Sequence, residues 1–203
     1  RNGTDFGITF NATVADAARI SFNNLNFGFS PTAHNGGVIY LSSSLSSLSD
    51  IIFSNITATN IHSFDDTGGA YSGKNWIDCQ AGTGGKTRTR LFFNNLDFQG
   101  YSPSVKTGDV GVTLRGPCTD MHFNQCRFKD VPGIGIGIDD SPADTISDID
   151  FNGCVIDGCN YNGVLIRNDT AAATIKGLSF NNCITRNVGK QAITSNAAGW
   201  VLV

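Results

Sequence analysis

The chain has 203 residues, of which 40% are hydrophobic and 24 are glycine, while only 5 are proline and 1 is methionine. This composition supports a buried core and is untypical of a helical protein. The net charge is −3 and the 14 Lys and Arg residues are scattered, so nucleic acid is not expected as the main partner. No apolar run approaches the roughly 18 residues that a spanning helix needs, so membrane insertion is not expected either.

A short pattern recurs along the whole chain. It reads aliphatic residue, any residue, Phe, any residue, usually Asn, then an apolar residue, and a clear copy is Leu91-Phe92-Phe93-Asn94-Asn95-Leu96. The Phe of the pattern occupies positions 22, 53, 93, 123, 151 and 180, in steps of 31, 40, 30, 28 and 29. A repeat of roughly 20 to 50 residues indicates a solenoid, a propeller or an array.

The spacing inside one unit predicts a strand, a sharp bend and a second strand. The aliphatic residue and the Phe are two apart, so they share one face of a strand. The apolar residue directly after the Asn breaks this alternation, which places a bend at the Asn. Stacked units would put Phe over Phe and Asn over Asn, with Asn side chains hydrogen-bonded along the stack.

A third strand precedes each unit and often opens with Gly. In chain order these strands are predicted near Ile8–Phe10, Val38–Leu41, Trp76–Cys79, 111–114, 135–138 and 163–166. Three short strands per unit predict an all-β, right-handed parallel β-helix of about six coils, a solenoid that spans residues 1–203 as one domain. The alternative is a β-sandwich with unusually regular Phe spacing. The pattern is still running where the chain stops, so we expect a fragment of a longer chain, with flanking domains or homotrimer contacts.

The six cysteines are expected to be free thiols. Three of them take the pattern position that Leu or Ile holds in other units, namely Cys126, Cys154 and Cys183. Cys79 fills an inward strand position, whereas Cys118 and Cys159 fall in turns or loops. Zinc-type spacing is absent, and small buried hydrophobes are the simplest role for such a row.

The third strands also carry the candidate site. When they are aligned on their inward residues, one outward column contains Gln80, Arg115, Asp139 and Arg167, with rungs roughly 5 Å apart. Asp78 lies in the neighbouring column, two rungs from Asp139, which suggests a separation on the order of 10 Å. This is near the upper end for the acid and base of an inverting glycosidase.

Further residues around this column suit a sugar chain. Arg115 and Arg167 can bind carboxylates or hydroxyls in a fork, and Asp140 follows in the turn. Tyr101 and Tyr161 lie in loops before the same strands, where their side chains would form the sides of a groove and stack on sugar rings. The competing interpretation is a surface ion-pair ladder with a turn-starting Asp-Asp-Ser-Pro sequence. His122 is outward on a strand and is assigned no role.

The residue pattern of the repeated units resembles that of the pectate-lyase-like, single-stranded right-handed β-helix superfamily over nearly the whole chain. Trp76-Ile77-Asp78-Cys79 is similar to the Trp-Ile-Asp-His motif of pectate lyases, with Cys in place of His. Arg115-Gly116-Pro117 matches only a fragment of the lyases' Arg-x-Pro-x-x-Arg signature, and the polygalacturonase signatures Gly-His-Gly and Arg-Ile-Lys are absent. The resemblance implies a groove that handles polysaccharide, as in secreted lyases and phage tailspikes.

Three functions follow from these observations. The first is an extracellular or virion protein that binds polysaccharide and degrades it like a tailspike depolymerase, hydrolysing the glycosidic bond with Asp139 and Asp78 and needing no cofactor or metal. The second is a secreted lyase or epimerase with Arg115 or Arg167 as base and Ca²⁺ held by the Asp cluster. The third is a noncatalytic structural solenoid of a virion or cell surface, so enzymatic activity itself is left open.

Overall fold

The computed structural model describes residues 7–10, 16–29, 37–41, 47–61, 75–81, 86–100, 110–139, 145–167, 174–189 and 200–202. Within these ranges the protein is all-β, with sixteen strands and no helix. Nothing there could cross a membrane as an apolar helix. In chain order the strands are β1 (Ile8–Thr9), β2 (Ala17–Gly28), β3 (Ile39–Tyr40), β4 (Leu48–Ile61), β5 (Asn75–Gln80), β6 (Arg88–Gly100), β7 (Val110–Arg115), β8 (Cys118–Asn124), β9 (Arg127–Lys129), β10 (Ile134–Asp139), β11 (Thr145–Asn152), β12 (Val155–Asp157), β13 (Val164–Arg167), β14 (Thr174–Asn181), β15 (Ile184–Arg186) and β16 (Trp200–Leu202).

The chain alternates between two sheets. Sheet A has the order β1-β3-β5-β7-β10-β13-β16, and it contains the predicted third strands. Sheet B runs β2-β4-β6-β8-β11-β14, and β6 also pairs β9, which continues to β12 and β15. The pairs are parallel except β13 with β16, which is antiparallel. Each strand therefore pairs with its counterpart one unit further along the sequence.

The predicted stack of Phe residues is confirmed. The six pattern Phe side chains are in register from strand to strand of sheet B, and their ring centroids lie 4.4–5.3 Å apart with planes within 11° of parallel. The four inner rings are fully buried, whereas Phe22 and Phe180 at the two ends are partly exposed. The stack forms the centre of a continuous apolar core.

The bend at the pattern Asn is confirmed, but it is one of three. In β4 the inward residues are separated by alternating steps of three and two, and each step of three contains a left-handed residue: Asp50 (φ 54°), Asn55 (φ 54°) and Asn60 (φ 58°). Asn, Asp and Gly tolerate this conformation best. The bends therefore recur every five residues. In the first three units the chain stays in one long strand through them, where two separate strands were predicted.

Stacking of the pattern Asn is confirmed for Asn55 and Asn95, and a longer ladder that was not predicted runs through the residue before the bend. Side-chain amides donate to the next Asn at 2.9 Å from Asn124 to Asn94, 3.2 Å from Asn152 to Asn124 and 3.0 Å from Asn181 to Asn152. These residues follow the Phe directly and point outward. At the bend itself, Asn95 donates to Asn55 at 2.8 Å on the exposed surface. The ladders therefore tie strands together at the surface of the protein.

All six cysteines are free thiols, as predicted. In the row of Cys126, Cys154 and Cys183, each thiol donates to the main-chain oxygen of the Phe one unit earlier, at 3.3 Å. The assignment to turns or loops is wrong for Cys118, which lies in a strand, and right for Cys159, which follows β12; both are fully buried. Cys118 opens β8 in the inward column of Ile146, and the Cys159 thiol packs under Gly135.

Candidate functional site

The outward face of sheet A contains an open cleft of about 430 Å³ across β5, β7, β10 and β13. Its polar lining residues are Asn75, Gln80, Thr113, Arg115, Asp139 and Arg167. Val110, Ile134 and Leu165 add apolar wall. The cleft therefore combines amides, charges and apolar surface along the axis on which the units repeat.

The predicted column of polar residues is confirmed by the register. Gln80 is opposite Arg115, Arg115 is opposite Asp139, and Asp139 is opposite Arg167. The neighbouring column is also as predicted, because Asp78, Thr113, Gly137 and Leu165 are aligned in the same way. Strict alternation of inward and outward residues fixes both columns.

Asp139 is held mainly by one of its two arginines. Arg167 donates to both carboxylate oxygens, at 3.0 Å from Nε and 2.6 Å from Nη2. Arg115 Nε approaches the same carboxylate only to 3.8 Å, and 46% of the Arg115 side chain is exposed, against 21% for Asp139. The Arg115 guanidinium is thus the cation of the column that a ligand can reach most directly.

Asp78 is less accessible than its outward position suggested. The residue is 7% exposed, and its carboxylate accepts a hydrogen bond from the Asn75 amide at 3.1 Å. Tyr40 is opposite Asp78 in the next strand. Burial, followed by the negative charge of Asp78, raises the pKa of the Tyr40 hydroxyl above its ordinary value.

The Cα separation of Asp78 and Asp139 includes an offset along the strand that rung counting leaves out. Asp78 is two rungs from Gly137 in register, and Asp139 lies two residues beyond Gly137 along β10. With about 4.8 Å per rung and 3.3 Å per residue, their Cα atoms are about 12 Å apart. An inverting glycosidase holds its carboxyl groups roughly 6.5–9.5 Å apart, so this pair would need both side chains to lean towards each other.

The remaining predicted site residues are not brought to the cleft. Tyr161 is half-buried in a turn where its N–H donates to Gly133 O at 3.0 Å, and it is not among the lining residues. Asp140 and Tyr101 lie outside the residues that the structure describes. In the described part of the chain, no three His, Cys, Asp or Glu residues are grouped so that they could hold a metal ion.

Sequence reasoning missed two features that shape the cleft. Gly137 lies in a column whose neighbours carry side chains, and Val110 packs closely against it, because an added Cβ would meet Val110 Cγ1 at 3.2 Å. On the inward side, the fully buried Arg88 donates from Nε to Leu41 O at 2.6 Å and from Nη2 to Gln80 O at 3.3 Å. Arg88 therefore ties together the ends of β3 and β5. Burial lowers the pKa of its guanidinium.

A second polar cluster lies on the outward face of sheet B. His122 contacts Asp120 through Nε2 at 2.8 Å and Asp150 through Nδ1 at 3.2 Å, and its ring stacks on Phe92 at 5.1 Å. Ser179 donates to the other oxygen of Asp150 at 2.6 Å. The cluster links β6, β8, β11 and β14, and His122, which had no predicted role, is its centre.

No protein-family model, curated protein or solved structure matches this chain. The function therefore has to be argued from the cleft itself.

Proposed function

We propose that the two sheets are walls of a right-handed parallel β-helix of about six coils, and that the cleft on sheet A binds a polysaccharide. The architecture is supported by the alternation of the chain between two sheets and by the parallel pairing of equivalent strands in successive units. The columns of Phe, Asn and Cys support it further, because each repeats at the same position of the unit.

The observation that carries the binding proposal is the exposed Arg115 fork beside amides and apolar walls in one open cleft. Sugars present hydroxyl edges, which amides and guanidinium groups bind, and apolar ring faces, which aliphatic side chains cover. Four strands contribute, so the cleft extends over three rung spacings, about 14 Å. That length suits a segment of a chain better than a single small molecule.

Binding has more support than hydrolysis. Asp139 as an acid or base would have to leave its two hydrogen bonds with Arg167, and Asp78 is nearly buried. The lyase or epimerase alternative draws on a different observation. The Arg115 side chain is more exposed than that of Arg167, so Arg115 is the better candidate for the base. An extracellular or virion location, and trimer or flanking-domain contacts, belong to the same proposal and rest on the resemblance.

The test is a screen of the folded chain against bacterial capsular, O-antigen and acidic plant polysaccharides, reading binding and release of reducing ends with and without chelator. Arg115→Ala should weaken binding to the retained glycan by about 10- to 100-fold, since a charged hydrogen bond contributes roughly 1.5–3 kcal/mol.

Arg127→Ala is the matched control. Arg127 lies on β9 of sheet B with 44% of its side chain exposed, and its nearest carboxylate is also 3.8 Å away. Equal binding by the two variants, or no glycan retained by a folded sample, would contradict the proposal. Release of oligosaccharide that Asp139→Asn abolishes would add hydrolysis, while chelator-sensitive release of an unsaturated product would favour the lyase.

A further inference from the structure

Three cysteines on successive units bring their thiols together inside the bend of sheet B. The flanking pairs Asn152 with Asn181 and Val155 with Ile184 place Cys154 directly opposite Cys183. Neighbouring parallel strands are about 4.8 Å apart, which lies within the roughly 4.4–6.8 Å that a disulfide spans between Cα atoms. On the other side, the flanking pairs Asn124 with Asn152 and Arg127 with Val155 place Cys126 opposite Cys154 in the same way.

The three thiols differ in access. Cys126 and Cys154 are buried, whereas Cys183 is partly exposed in the last of the six Phe units. Cys183 directly precedes β15, which has three residues and pairs only with β12 among the strands of the described ranges. A reagent therefore meets Cys183 first, and a strand paired on one side is freer to shift as the bond forms than a strand paired on both sides.

We propose that Cys154 and Cys183 form a reversible disulfide by exchange with a small-molecule disulfide such as oxidised glutathione. The Cys183 thiolate attacks one sulfur of oxidised glutathione, the S–S bond breaks, and one glutathione leaves as thiolate. The Cys154 thiolate then attacks the Cys183 sulfur of the mixed disulfide and releases the second glutathione. The protein loses two thiol protons and two electrons, and oxidised glutathione is reduced to two molecules of the thiol.

Access sets the order of attack, because Cys183 is the exposed thiol of the pair. The neighbouring Cys126 thiol, assisted by Cys183, lowers the pKa of the Cys154 thiol, which suits the resolving nucleophile. Burial raises the pKa of Cys183, so its attack is controlled by access and should accelerate in mildly alkaline buffer. The pair lies on sheet B, away from the cleft, so the inference is independent of polysaccharide binding.

The experiment treats the folded chain with oxidised glutathione in mildly alkaline buffer, alkylates the remaining thiols and maps the peptides by mass spectrometry. The expected product has lost the mass of two hydrogen atoms, contains a peptide crosslinked between Cys154 and Cys183, and reverts with dithiothreitol. Cys154→Ser should stop at a glutathione adduct on Cys183. Cys183→Ser should give neither product.

Cys79→Ser is the control, because Cys79 is a fully buried thiol of sheet A; its reaction should match that of the unsubstituted chain. If Cys183→Ser does not fold, the unsubstituted chain still decides the matter. A glutathione adduct that persists on Cys183, a disulfide between any other pair, or unchanged thiols after complete exposure to the oxidant would overturn the proposal.

Discussion

Replacing Phe123 by Ala should cause one of the largest losses of stability in the core. The side chain is fully buried, and its ring lies 4.4 Å from that of Phe93 and 4.6 Å from that of Phe151. Truncation of a buried Phe costs about 3–5 kcal/mol. Because two stacked ring contacts are lost, each worth roughly 0.5–1.5 kcal/mol, we expect a loss near 5 kcal/mol.

Two further substitutions show whether this magnitude comes from the stack. Phe180 is partly exposed and stacks on Phe151 at 4.8 Å, so Phe180→Ala should cost about half as much, roughly 2–3 kcal/mol. Phe92 precedes a stacked Phe but faces outward, where it stacks on His122. Phe92→Ala should therefore cost about 1 kcal/mol.

The losses in unfolding free energy are measured by urea unfolding that is monitored by Trp fluorescence and by circular dichroism. The midpoint should fall for Phe123→Ala while the slope with urea concentration stays constant. Coincident transitions by the two probes are required, because a repeat array can lose cooperativity. Equal losses for the inward Phe123 and the outward Phe92 would refute the reasoning, since they would show that the stack contributes little beyond ordinary surface contacts.

Three other predictions concern single polar residues. Asn124→Ala removes two hydrogen bonds of the amide ladder, so the free energy of unfolding in urea should fall by about 1–2 kcal/mol. An unchanged midpoint would show that hydrogen bonds to solvent replace these two bonds. Arg88→Met leaves buried carbonyl oxygens without their donor, and its unfolding midpoint should fall by an amount equivalent to roughly 3 kcal/mol. A gain in stability would mean that burying the charge of Arg88 costs more than its hydrogen bonds contribute. The amide of Asn187, assisted by Arg186, lowers the pKa of Asp157 in the folded protein. The stability that Asp157 contributes is therefore complete above an ordinary carboxyl pKa of about 4, and it is lost as pH falls through the lower pKa of the folded state. Thermal unfolding between about pH 5 and pH 2 should therefore depend less on pH in Asp157→Asn than in the unsubstituted chain, and identical profiles would contradict the assignment.

The columns of the candidate site could be predicted from the sequence because inward and outward residues alternate strictly along a strand. Only the alignment between neighbouring strands had to be chosen. Once inward residues such as Val112 and Ile136 are aligned, the outward neighbours must align with them, and Arg115 meets Asp139. The separation of Asp78 and Asp139 was predicted from rungs alone, whereas it also depends on the offset along the strand. Rung counting alone leaves that offset out.

The other features depend on choices that alternation does not make. Register brings Asp139 equally close to two arginines, but side-chain rotamers decide that Arg167 holds it. The extra bends were missed because the left-handed position is filled by Asp or Arg as well as Asn and Gly. Arg90, for example, has φ 52°, and its residue type gives no such signal.

Amide chemical-shift mapping of the labelled chain, titrated with an oligosaccharide from the screen, tests polysaccharide binding at the cleft most directly. We expect the perturbed amides to belong to β5, β7, β10 and β13 and to centre on Arg115 and Gly137, which line the cleft. Perturbations centred on the outward face of sheet B around His122, or none at saturating glycan, would contradict this expectation.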